Sequence, residues 1–232
     1  MEINKIYNDP GLEIRQSEFI SKVYGWMCAA LLVTALVAWA MATIPGMAEG
    51  LFRHRFFFWG ILIAQFGCVI GLSGFAQRLT TKQNIAIFLG YAVLNGLTFS
   101  FIFLLFTFSS IMVTFFITAF SFGVMSYFGY VTKQDLTTFG NILKLALLGL
   151  VIATVANIFF SNESMYWITT YAGVLIFVGL IAYDTQKLKA MHAMSASSAS
   201  DMQKTAILGA LSLYLDFINL FLYLLRLFGR RK

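Results

Sequence analysis

The chain has 232 residues, of which 59% are hydrophobic, 17% aromatic and only 11% charged, with a net charge of +6. A soluble domain carries about 25% charged residues, so this composition excludes an ordinary water-soluble core. The basic excess does not mark a nucleic-acid binder, because Lys and Arg are dispersed through short connections and tails, where they orient a membrane protein.

Residues 1–22 mix Glu2, Asp9, Glu13 and Glu18 with Lys5, Arg15 and Lys22. They read as a short cytoplasmic segment and not as a cleaved signal, since no short apolar core with a small-residue cleavage site precedes the first long run. Seven apolar runs follow, at 23–44, 56–76, 85–106, 111–131, 142–160, 165–183 and 206–228. Runs of this length cross about 30 Å of hydrocarbon. Their backbone must satisfy its own hydrogen bonds there, which predicts helices, and the absence of alternation excludes a β-barrel. The expected architecture is an all-α integral membrane protein, a bundle of seven transmembrane helices in one domain over 23–228. A basic tail at 229–232 closes it.

Cys28 and Cys68 lie inside apolar runs and read as small packing residues. Gly67 and Gly71 form G-x-x-x-G in the second run, a spacing that permits close helix approach, and are expected to pack inside the protein. His54 and His192 fall in connections and are assigned no metal. The Ser-rich stretch 195–200 reads as a loop.

Basic residues set the orientation. Lys5, Arg15, Lys22, Arg78, Lys82, Lys133, Lys187, Lys189 and Lys204 lie on the side of the N-terminus; Arg53, Arg55, Arg230, Arg231 and Lys232 lie opposite. Nine against five predicts a cytoplasmic N-terminus. The basic tail then falls outside, against the rule.

Eight of the ten acidic residues lie in tails or connections. Asp216 lies inside the seventh run, in LSLYLDFINLF, and Asp184 at the end of the sixth, in AYDTQKLK. An aspartate at the bilayer centre costs about 2.5 to 3.5 kcal/mol on insertion scales and marks a functional site by default. Helical spacing places Gly209, Ser212, Asp216, Asn219, Tyr223 and Arg226 on one face, so the last helix is expected to be central, with this stripe turned inward. Ser212, Asn219 and Tyr223 are candidates for lining a pathway. No Lys or Arg stands three or four residues from Asp216, so its partner comes from another helix or is a proton or an ion. Asp184 is the notable candidate. Two adjacent carboxylates share a proton; deprotonated, they attract a hard cation such as Ca²⁺. Arg78, on the same side as Asp184, is a candidate counter-ion. Lys144, near the start of the fifth run, is expected to snorkel to the interface.

AYDTQKLK at 182–189, LSLYLDFINLFLYLLRLFG at 211–229 and YGWM at 24–27 resemble the Bax inhibitor family, in the wording of its bacterial inner-membrane members. The resemblance covers essentially the whole chain. It implies a seven-helix bundle with the last helix surrounded by the other six, and a pH-sensitive calcium leak whose sensor pair corresponds to Asp184 and Asp216. The chain departs from the family's bacterial pattern in the second helix, where AQFGCVIGLSGFAQRL carries Gln65 in place of an acid and Arg78 displaced.

Two rival readings accompany the leak. A non-conducting regulator or scaffold would bind other membrane proteins and use the polar stripe for packing. An intramembrane aspartyl protease would use the two aspartates to activate water, but Tyr214 and Leu215 precede Asp216 where that chemistry carries a Gly-x-Gly sequence. No H-E-x-x-H, G-x-S-x-G or phosphate loop occurs, so no enzymatic activity is expected. No cofactor is expected either: the partners are the bilayer, protons and Ca²⁺ as a transported ion.

Overall fold

The structure, a computed structural model, describes residues 10–44, 46, 50, 55–194 and 199–232. It is all-helical. In order come α1 (Pro10–Thr43), α2 (Arg55–Phe75), α3 (Thr81–Leu105), α4 (Phe108–Val131), α5 (Thr137–Phe160), α6 (Glu163–Met194) and α7 (Ala199–Phe228). Six of the seven are long and apolar enough to cross a membrane; in α2 the described apolar stretch is Trp59–Phe75. Among the described residues there is no strand, only one isolated bridge between Phe106 and Arg231. His54 and most of the Ser-rich stretch lie outside the described residues.

The helices coincide with the apolar runs except at the ends. The largest differences are in α6, which continues past Tyr183 to Met194, and α7, which starts at Ala199 rather than at 206. Hydropathy marks where hydrocarbon ends, whereas a helix persists as long as its own hydrogen-bond ladder and caps hold.

Local chemistry explains several helix starts. At α3, Thr80 and Gln83 form a reciprocal capping box: Thr80 Oγ1 accepts from the Gln83 amide at 3.3 Å, and Gln83 Oε1 accepts from the Thr80 amide at 2.9 Å. At α4, Thr107 Oγ1 accepts from the Ser110 amide at 3.4 Å. At α5, Asp135 Oδ1 accepts from the Thr137 amide at 2.8 Å. The Thr137 hydroxyl and amide hold the Asp135 carboxyl below the usual carboxylate range. A carboxyl lowered on folding contributes stability above its unfolded pKa of about 3.9, and loses it as pH falls through the folded value. Asp135→Ala is therefore expected to speed amide exchange in the first turn of α5 near neutral pH, with the difference from the parent vanishing in acid.

The chain divides into two compact units: Met1–Leu105 with Leu188–Leu211, and Phe106–Lys187 with Ser212–Lys232. In the first, α1 buries Phe19, Val23, Met27, Ala30, Thr34 and Ala38 at spacings of three and four, one helical face, and exposes Leu32, Leu36 and Trp39. That face meets α3. Thr34 Oγ1 donates to the Ala92 carbonyl at 2.9 Å, and Gly96 lies so close to Thr34 and Val37 that a Cβ would collide with both. Gln65 of α2 donates to Thr98 Oγ1 of α3 at 2.9 Å. Gly67 and Gly71, expected to pack inside, have nothing within 4 Å of where a Cβ would sit. Among the described residues no partner helix closes on that face.

In the second unit, glycines set the close approaches. Gly129 of α4 abuts the backbone of Ala182, Gly140 of α5 seats the ring of Tyr183, and Gly173 of α6 seats the ring of Tyr223. Tyr223 also stacks on Phe177 at 5.8 Å. After α7 the tail folds against the start of α4. The Thr107 amide donates to the Arg230 carbonyl at 3.1 Å, and the Arg230 amide to Ser110 Oγ at 3.1 Å.

Candidate functional site

Asp184 and Asp216 both belong to the second unit, and α4 acts as a common ruler for them. Its buried face carries Ile111, Thr114, Thr118, Phe122, Ser126 and Gly129. Ser126 Oγ and Thr185 Oγ1 are hydrogen-bonded at 3.1 Å, which fixes the height of α6 one residue from Asp184. The Phe217 ring meets Phe122 edge-on at 5.6 Å and Phe115 at 5.5 Å, which fixes the height of α7 one residue from Asp216. Ser126 and Phe122 are one turn apart on α4, about 6 Å. The two aspartates therefore stand at nearly the same level. Their carboxyl groups lie within side-chain hydrogen-bonding reach. The apolar runs put Asp216 near mid-membrane and Asp184 at the edge; of the two ways they could meet, the structure has α6 continuing as helix past Tyr183, whereas α7 begins earlier than 206 and not later.

Asp216 is only 5% exposed, and its Oδ2 has no hydrogen-bond donor among the described residues. Its neighbours Leu213, Tyr214, Phe217 and Leu220 are all buried. Asp184 is half-buried. Two ionised carboxylates are both acceptors, so neither can satisfy the other.

The remaining stripe residues behave differently from one another. Asn219 Nδ2 donates to the Leu215 carbonyl of its own helix at 2.8 Å, so its amide is partly satisfied locally. Tyr223 packs on Gly173 and Phe177. Ser212 is half-buried. Arg226 lies over the rings of Tyr223 and Tyr166, at 5.2 and 5.8 Å. Arg78 belongs to the first unit, where its guanidinium lies over the Phe75 ring at 5.9 Å.

The charges that act on Asp184 are the ammonium groups of Lys187, three residues on along α6, and Lys144 of α5. Lys144 was expected to snorkel. Its Nζ instead donates to the Tyr183 hydroxyl at 3.0 Å and sits 4.4 Å from the centre of that ring. Nothing in the sequence spacing links residues 144 and 183; the glycine at 140, one turn before Lys144, is the one local signal that a ring packs there.

The arrangement brings two carboxyl groups, from α6 and α7, within reach of each other. Among the described residues no group of three or more His, Cys, Asp or Glu side chains gathers to hold a metal ion.

The family model described as inhibitor of apoptosis-promoting Bax1 matches residues 16–232. The inner membrane protein YbhL of Escherichia coli strain K12 is 49% identical over 215 residues, covering 92% of each chain. An uncharacterized protein of Borreliella burgdorferi is 39% identical over 217 residues, covering 94% of each. The uncharacterized protein YrjE of Lactococcus lactis is 40% identical over 213 residues, covering 91% of this chain and 90% of its own. With six apolar spanning helices and a match over nearly its whole length, the chain is a multi-pass membrane protein of the Bax inhibitor family.

Proposed function

We propose that the protein is a pH-sensitive, channel-like calcium leak of the bacterial inner membrane, gated by protonation of the Asp184–Asp216 pair. One observation carries this reading: two carboxyl groups from different spanning helices lie within hydrogen-bonding reach of each other, in surroundings that make a permanent charge expensive. With a proton the pair is less anionic and its affinity for a cation falls; without one it offers hard oxygens to Ca²⁺. Ser126 and Thr185, hydrogen-bonded to each other, tie α4 to α6 one residue along from Asp184. We place α7 at the centre of the bundle, in support of which 67% of its spanning window is buried against 11% for that of α5.

The test is calcium flux from proteoliposomes across roughly pH 6 to 8. Asp216→Asn and Asp184→Asn, which cannot ionise, are each expected to flatten the pH response. A variant that leaks at the parent's rate with the parent's profile defeats the proposal, and a flux-silent parent that copurifies with another membrane protein favours the regulator instead.

The N-terminus is proposed to be cytoplasmic, with seven crossings. The tail then emerges on the far side, at the end of the second unit where Thr107 holds Arg230. A reporter fused after Lys232 is expected to be active outside the cytoplasm only; activity inside overturns the orientation.

A further inference from the structure

The last turn of α7 and the tail after it form a cationic ledge. Arg226 lies over the rings of Tyr223 and Tyr166, at 5.2 and 5.8 Å, so the end of α7 stands level with the first turn of α6. Beyond it the chain does not fray as an exposed terminus usually does. The Arg230 carbonyl accepts from the Thr107 amide, and the Arg230 amide donates to Ser110 Oγ, both at 3.1 Å. Phe106 and Arg231 form a bridge, and Gly229 rests against the Leu225 carbonyl and the Phe106 ring with no room for a Cβ. The backbone is pinned, while the side chains of Arg230 and Arg231 are exposed.

Fixing a tail costs conformational entropy, and fixing adjacent arginines holds like charges together. Among the described residues Arg226, Arg230 and Arg231 have no carboxylate within ion-pair distance. Glu163, the acid in the first turn of α6, is exposed and pairs with none of them. The surroundings mark the edge of the hydrocarbon. Trp167 and Tyr171 stack at 6.1 Å, one turn apart on α6, and both are exposed; amphipathic aromatic rings of this kind sit at headgroup level. Phe108, Ile168 and Phe228, at the start of α4, the start of α6 and the end of α7, expose apolar side chains.

We propose that this ledge is a binding site for the phosphate of an anionic phospholipid, with Arg230 and Arg231 contacting the headgroup and Arg226 adding to the field behind them. The planar guanidinium fork matches phosphate oxygens, and the acyl chains lie along the exposed apolar side chains. An anionic headgroup is favoured over a zwitterionic one because choline would bring a further cation to three that lack a partner. The assignment depends neither on the leak nor on which side of the membrane the tail occupies.

The test is the lipid retained by the purified full-length protein, measured by native mass spectrometry from detergent holding equal amounts of phosphatidylglycerol and phosphatidylcholine with the same chains. The parent is expected to prefer phosphatidylglycerol by about tenfold, the scale of one hydrogen bond to a charged group. Arg230→Gln with Arg231→Gln, which leaves the backbone contacts intact, is expected to bring the preference to parity with no change in the lipid-free melting midpoint. Gly229→Val keeps every charge but cannot keep the tail in place, because a Cβ there strikes the Leu225 carbonyl, and it is expected to lose the preference as well. Lys82→Gln with Lys133→Gln, exposed lysines at the start of α3 and after the end of α4, is expected to match the parent. A parent without preference overturns the assignment, as does an undiminished preference in the arginine variant. Undiminished preference in Gly229→Val overturns the built site, since a loose basic tail would then suffice. Equal loss in the lysine variant overturns it too, since any positive charge would then serve. Displacement by inorganic phosphate at the concentration of the lipid overturns the phospholipid as the occupant.

Discussion

Replacing Asp216 by leucine is expected to raise the thermal stability of the protein while removing the pH response of any flux. The carboxyl is buried among Leu213, Tyr214, Phe217 and Leu220, and its Oδ2 lacks a donor among the described residues. An unsatisfied buried polar group costs about 1–3 kcal/mol, and replacing buried charged groups by well-packed apolar ones is often stabilising by a similar amount. The expected gain is therefore about 1–3 kcal/mol, read as a higher midpoint of unfolding in detergent. The gain is reduced by whatever Asp184 loses when its neighbour goes. A variant clearly less stable than the parent would mean that Asp216 holds the helices together, and the case for a functional carboxyl would lose its energetic basis.

Gly129→Ala is expected to be among the most damaging single-methyl changes in the second unit. The added Cβ would run into the carbonyl of Ala182, which is backbone and cannot turn aside as a flexible side-chain end can. α4 and α6 must then move apart. Overpacking of this kind costs about 1–3 kcal/mol, occasionally more, and the upper part of that range is expected here. The Ser126–Thr185 hydrogen bond is one turn away on α4, so the site shifts with the helices, and the pH profile of flux should change along with the melting midpoint. Gly123→Ala is the control. It lies on the same helix with nothing within 4 Å of the new methyl, so the change is expected to be neutral or to stabilise by up to about 1 kcal/mol through helix propensity. Equal losses at 129 and 123 would show that the effect is generic and not a matter of helix contact.

The glycines show where reading the chain by pattern succeeds and fails. Gly67 and Gly71 carry the familiar spacing yet face open space, while Gly129, Gly140 and Gly173 carry no such motif and make the tight contacts. A small residue permits approach, but only the partner helix determines whether approach occurs. The same holds for charge. Asp216 was legible because a carboxylate inside a spanning run is improbable on energetic grounds alone. Lys144 was read only as a charge near the start of its run that can snorkel; its hydrogen bond to the Tyr183 hydroxyl depends on where Tyr183 is placed.

The sequence by itself determined that this is an all-helical membrane protein, because composition and run length are set by the thickness and dryness of hydrocarbon. It also singled out Asp184 and Asp216, since ionisable groups are rare at such positions. Only the tertiary structure decided that the two carboxyls stand at one level, that α6 continues past Tyr183 to carry one of them, and that Lys144 turns toward Tyr183 beside Asp184. Those facts depend on helix register and close packing at glycines. Both are fixed by contacts between residues far apart in the chain, which local hydropathy and spacing do not encode.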